Sequence, residues 1–174
     1  MTPYRKTIVA SVGHVAVGLC AGRLAGGGWR RMMAWSALSL LPDVDAIGFV
    51  LGVPYEAPFG HRGATHSVVF AILCGVVIAA VARERRVWMG VMAMGVGATH
   101  PLLDALTNGG LGVALWWPFS VERFFAPWRP LPVAPIGVGL VSWRGARVML
   151  IELAAFAPLL LWGMWPGRRA RGRT

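Results

Sequence analysis

The chain has 174 residues, 56% of them hydrophobic and only 14% charged, with a mean hydropathy of +0.61. A soluble domain carries about 25% charged residues, so this composition excludes an ordinary water-soluble globule, and the apolar excess equally excludes a disordered chain. Seventeen basic against seven acidic residues give a net charge of +10, but the basic residues fall in short clusters between apolar runs. That is the pattern of loops flanking membrane helices and not of a nucleic-acid-binding surface.

The runs are read in chain order. Residues 8–24 have the basic start and apolar core of a signal peptide, yet no small-x-small cleavage site follows and His14 interrupts the centre; they read as a first helix. Residues 32–53 are long enough for the roughly 20 residues a bilayer requires. They are broken at Leu41-Pro42-Asp43-Val44-Asp45, where Pro42 lacks a backbone donor. A polar loop covers 54–65. A third run, 67–82, closes at Arg83-Glu84-Arg85-Arg86, and a fourth, 87–106, ends at the turn signal Thr107-Asn108-Gly109-Gly110. Residues 111–147 are rich in Pro and Trp and read as an interfacial or re-entrant loop. A last span, 148–165, precedes a basic tail, 167–174. The expected fold is all-α: one membrane-embedded domain over residues 1–174, a polytopic integral membrane protein of four to five transmembrane helices. Cys20 and Cys74 both sit in apolar runs and make neither a disulfide framework nor a thiolate zinc site.

The expensive side chains are not scattered. His14, His61, His66, His100, Asp43, Asp45 and Asp104, which are all the histidines and all the aspartates, lie within or at the mouth of the first four runs. Carboxylates at membrane depth cost about 2.5–3.5 kcal/mol on insertion scales, which makes them functional by default. His100 and Asp104 are four apart and share a helix face. Asp43 and Asp45, two apart, can face one site only if the chain is irregular after Pro42. His61 and His66 bracket Arg62-Gly63-Ala64-Thr65, with Thr65 or Ser67 placed to cap the next helix. Imidazole nitrogens and carboxylate oxygens are the donor set zinc prefers, with manganese or iron acceptable, and seven donors would serve one to three ions between the helices. Taken as alternating spans, the runs bring all seven to the N-terminal face, while ten of the seventeen basic residues, the tail included, fall on the other; the bias leans toward a cytoplasmic tail and an outward-facing site. Glu84, among arginines, reads as a solvated partner and Glu152 as a helix-packing hydrogen bonder.

Three motifs carry a resemblance: Leu-Pro-Asp-Val-Asp (41–45), His-Arg-Gly-Ala-Thr-His-Ser (61–67) and His-Pro-Leu-Leu-Asp-Ala-Leu-Thr (100–107), with Arg-Pro-Leu-Pro-Val-Ala-Pro-Ile-Gly (129–137) further on. Over roughly residues 10–140 they resemble the YdjM-like family of membrane-bound metal-dependent hydrolases. The order of histidines and aspartates is similar, more distantly, to helical zinc-dependent phospholipases C. The resemblance implies a hydrolase of the prokaryotic inner membrane that cuts a phosphoester or related ester bond of a lipid or lipid-linked substrate with a metal-activated water. Asp45 or Asp43 would act as ligand or general base; Arg62, next to His61, reads equally as an anion clamp through its forked donors or as an ordinary positive loop residue. A cation or proton transporter, or a non-catalytic metal-binding membrane protein, would use the same residues; no nucleic acid is expected as a partner.

Overall fold

The apolar runs become helices, and small residues decide how closely they pack. The computed structural model describes residues 11–133 and 141–165. It contains α1 (Ser11–Leu24), α2 (Trp29–Leu40), α3 (Val68–Val81), α4 (Arg86–Ala105) and α5 (Trp143–Met164), with no β-strand among the described residues. α1 pairs with α2 and α3 with α4 as two hairpins; α4 crosses α1 and α2, and α5 packs along α1. Gly18 and Gly22, four apart on α1, form a close-contact face: a Cβ at Gly18 would sit 2.3 Å from the Ser36 Cα, and one at Gly22 2.4 Å from the Met32 Cα. Such small-xxx-small pairs let helix backbones touch where dispersion, not water exclusion, drives association. Gly75 does the same between α3 and α4, its missing Cβ falling 2.8 Å from the Gly90 carbonyl oxygen. Ala21, Trp35, Ala93 and Val96 fill the space between the hairpins.

The structure departs from the expected spans in three places. Residues 32–53 do not form one helix: α2 ends at Leu40 and a 3-10 segment, Leu41–Phe49, takes over with Pro42 in its first turn. At about 3.0 residues per turn, residues two apart point roughly 120° from each other, against about 160° in an α-helix, so the tighter winding turns Asp43 and Asp45 toward a common side. The last helix begins at Trp143 because the Ser142 hydroxyl caps it, accepting from the Gly145 N–H at 3.2 Å. The irregular stretch expected over 111–147 therefore ends earlier; its residues 134–140 and the basic tail lie outside the described residues. Among the described residues only α5 is long and apolar enough by itself to cross a bilayer, whereas α1 and α3 are apolar but shorter. α3 starts as the sequence suggests, with Ser67 accepting from the Phe70 N–H at 3.1 Å.

The loops at the end of α4 lock onto those before α3. Val113 pairs with Phe124 and Thr107 with Leu131 as isolated bridges. The Ala114 N–H donates to the Arg62 carbonyl at 3.0 Å, and the Val68 N–H to the Leu115 carbonyl at 3.0 Å. This ties residues 54–68 and 107–131 into one cap over the end of the bundle where α1 begins and α4 ends.

Candidate metal centre

All seven expected residues meet beneath that cap. His14 comes from the start of α1, Asp43 and Asp45 from the 3-10 segment, His61 and His66 from the loop before α3, and His100 and Asp104 from the last turns of α4. The four histidines and Asp104 are fully buried; Asp43 alone has appreciable side-chain exposure, 16%. Two overlapping groups could hold a metal ion, Asp43/Asp45/His61/His66 and Asp43/His66/His100/Asp104, each with its donor atoms within 4.8 Å of one another.

The hydrogen bonds distinguish the two. His100 Nδ1 lies 2.7 Å from the Ser39 carbonyl, which can only accept, so Nδ1 carries the proton and Nε2 presents a lone pair. His66 Nδ1 lies 3.0 Å from Asp45 Oδ2 and 3.1 Å from the Thr65 hydroxyl, whose own proton goes to Asp45 Oδ2 at 2.6 Å. Both neighbours are thus acceptors, and in the neutral imidazole His66 Nε2 is likewise left as a lone pair. The two Nε2 atoms stand 3.1 Å apart. Asp104 Oδ2 is 3.2 Å from His66 Nε2 and 3.9 Å from His100 Nε2; Asp43 Oδ1 is 3.7 and 3.5 Å from the same atoms. Neither of those carboxylate oxygens has a hydrogen-bond partner. Four ligand-type atoms face one another in a desolvated site, and their repulsion is relieved by a cation between them or by a proton shared between the two imidazoles. A tetrahedral ion with bonds of about 2.0 Å needs ligand–ligand edges of about 3.3 Å. The donor set fits a metal, and the Asp43/His66/His100/Asp104 group fits it best.

The remaining residues support these four. Asp45 accepts from His61 Nδ1 at 2.6 Å, from Thr65 and from the Arg62 N–H at 3.1 Å, besides lying against His66 Nδ1. It is an orienting carboxylate, unlike Asp43. His14 lies outside both groups: its Nε2 is 3.3 Å from Asp104 Oδ1, and its ring stacks on His100 at 3.7 Å. His61 keeps a buried, unpartnered Nε2 beside the centre. Arg62, fully buried, points inward: Nε is 3.3 Å from Asp104 Oδ2, and its terminal nitrogens donate to the Gly109 carbonyl and the Thr107 hydroxyl, each at 2.9 Å. Its φ of 61° is the left-handed conformation that side chains rarely adopt, a local strain held by the surrounding hydrogen bonds.

Sequence reasoning missed Ser39, Thr107 and Arg123. Arg123 donates to the carbonyls of His61 (3.0 Å) and Tyr55 (2.9 Å) and so straps the two loops together. Its one visible signal was an isolated arginine in a Pro- and Trp-rich stretch. Burial pulls the Arg123 guanidinium below its ordinary pKa and pushes the Tyr55 phenol above its own.

An all-helical chain that gathers histidines and aspartates from four segments, in a cluster able to hold a metal ion, defines the class. The chain belongs to the family described as YdjM inner membrane protein, whose pattern it matches over residues 9–170. It is 39% identical over 169 residues to the inner membrane protein YbcI of Escherichia coli (strain K12), covering 90% of this chain and 96% of that one. Its place is accordingly the prokaryotic inner membrane. No solved structure matches the chain.

Proposed function

We propose that this protein is a membrane-embedded, metal-dependent hydrolase of ester or phosphoester bonds in a lipid or lipid-linked substrate. The observation that carries the reading is the convergence of His66 Nε2, His100 Nε2, Asp43 Oδ1 and Asp104 Oδ2 on one point, with the opposite nitrogen of each histidine held by an acceptor. A divalent cation, zinc by the donor set, would supply charge that polarises a phosphoryl or carbonyl oxygen and acidifies water. The chain's own residues do the rest. Ser39 and Asp45 hold the two imidazoles with their lone pairs inward. Arg62 and His14 hold Asp104 from two sides, so Arg62 serves a carboxylate in place of the substrate. Asp43, the exposed member, stands where water and substrate arrive and is the carboxylate placed to take a proton there. In this reading α1 to α4 lie in the membrane beside α5, with the centre toward the outer face. The arginines of the α1–α2 and α3–α4 turns then lie on the cytoplasmic side.

The test is metal content together with turnover in the full chain purified without chelator. Wild type is expected to hold a stoichiometric divalent ion and to cleave a chromogenic phosphodiester in a metal-dependent way, with both properties lost in His66→Ala and His100→Ala. A folded wild type that takes up zinc only in traces defeats the metal centre. Stoichiometric metal without turnover on any ester defeats the hydrolase and leaves a metal-binding membrane protein.

A further inference from the structure

α4 and α5 both pack on α1, and their backbones stay apart from each other. Between them lies an open groove of about 320 Å³, lined by Val17 and Ala21 of α1, Gly95 and Thr99 of α4, and Leu159 of α5. The volume is at the lower end for a small-molecule site. Its polar atoms are already engaged within the protein. The Thr99 hydroxyl donates to the Val96 carbonyl at 2.7 Å, and the Cys20 thiol to the Leu159 carbonyl at 3.3 Å. No donor is left for a polar ligand, and the Thr99 hydroxyl retains only its acceptor lone pairs.

The groove is aligned with the metal centre. Val17 lies three residues after His14 on α1, and Val96, also in the lining, lies four before His100 on α4. Residues three and four apart share a helix face, so the groove ends about one turn, roughly 5 Å, from the stacked His14–His100 pair. It is bordered by α5, which among the described helices is the one both long and apolar enough to span the bilayer and is only 17% buried along its apolar window. In an inner membrane protein such a cleft opens sideways to lipid. A hydrocarbon chain needs no hydrogen-bond partner, matches the apolar lining, and is what the bilayer presents to such a cleft.

We propose that the α4–α5 groove binds an acyl chain of the substrate and so restricts the enzyme to membrane lipids; this rests, for the word substrate, on the hydrolase reading above. Apolar burial along the groove would hold the lipid while its polar end reaches the centre, an orientation effect that a short water-soluble ester cannot exploit.

Gly95 supplies the probe, because a Cβ built there meets no atom within 4 Å. Gly95→Phe should fill the groove without moving the backbone, and Leu159→Trp fills it from the other wall. The full chain, in phospholipid nanodiscs doped with a phosphatidylglycerol carrying a diazirine on its acyl chain, is irradiated and the adducts mapped by peptide mass spectrometry. Wild type should label at Met92, Thr99 and Leu159, and both fillers should lose this labelling while keeping metal content and melting temperature. Labelling spread evenly over the outer helices, or unchanged in both fillers, overturns the proposal. In turnover, the fillers should lose about tenfold or more on a long-chain phosphodiester, the worth of two buried methylenes, and nothing on a short soluble one. Equal loss on both substrates also overturns it. No turnover by metal-loaded wild type on either ester is instead a failure of the hydrolase reading, and the labelling result still decides the groove.

Discussion

The two ends of the bundle handle polar side chains in opposite ways. At the turns joining α1 to α2 and α3 to α4, arginines are exposed and satisfied singly. Arg31 donates to the Ala25 carbonyl at 2.7 Å, Arg86 Nε to the Ala82 carbonyl at 2.8 Å, and the Arg85 guanidinium sits 4.5 Å over the Trp88 ring. Arg31 and Arg86 each cover the carbonyl end of the preceding helix, Arg85 covers an aromatic face, and all three leave the rest to water. At the other end His14, His61, Arg62, His66, His100 and Asp104 are buried and share partners, so one carboxylate serves several donors. In a low-dielectric network each group depends on the others, and deleting one strands its neighbours without solvation. Polar residues at the arginine end are replaceable parts, and those beneath the cap are not.

The largest effect is therefore expected at Asp104. Asp104→Ala removes the hydrogen-bond partner of His14 and leaves a buried Arg62 guanidinium without its charge partner, a loss of about 3–5 kcal/mol. Folded yield should fall, and the surviving protein should hold no metal and show no turnover. Metal at wild-type stoichiometry in Asp104→Ala would place the ion elsewhere. Asp45→Asn is milder: it keeps the shape but cannot accept equally from His61, Thr65 and His66, and metal affinity should drop about 10–100-fold. Competition with a zinc chelator measures it, and an unchanged affinity would show that Asp45 does not orient the centre. Glu152→Ala is milder again. Its carboxylate accepts from the Val12 N–H at 3.1 Å where α5 meets α1, so melting should fall by the equivalent of about 1 kcal/mol while metal and turnover stay. Loss of metal in this variant would tie α5 to the centre.

The cluster was legible because charge at membrane depth is costly: all the histidines and aspartates fell at one level of the chain, and His100–Asp104 showed the spacing of a helix face. The roles within it were not. Asp43 and Asp45 look alike in sequence, and what separates them is the 3-10 winding plus Thr65 and the Arg62 N–H, which claim Asp45 alone. Ser39 acts through its carbonyl, which every residue possesses. Arg62 read as an anion clamp because its left-handed backbone, which carries a side chain already paired with Asp104, has no sequence signature. Helix ends shifted for local reasons: Pro42 divided an apolar run into α-helix and 3-10 segment, and Ser142 started α5 inside a stretch whose Trp and Pro content suggested a loop. The Arg123 strap joins residues 62 positions apart, beyond the reach of any periodicity.

The smallest effect should come from the arginine end, where the contrast is most easily broken. Arg31→Ala and Arg86→Ala each remove one hydrogen bond to a terminal carbonyl that water can replace, so each should shift stability by no more than about 0.5 kcal/mol. Metal content should not change, because the centre lies at the opposite ends of α1 and α4. What the pair can alter is orientation, since cationic turns are what hold a membrane protein's cytoplasmic side in place. Two measurements separate these effects: thermal melting of the purified double variant, and accessibility of a cysteine placed at position 58 to a membrane-impermeant thiol reagent in cells. Wild-type melting with unchanged labelling means that the remaining arginines suffice for topology. A large loss of melting temperature would show that this end is also a coupled network, and the distinction between the two ends would fall.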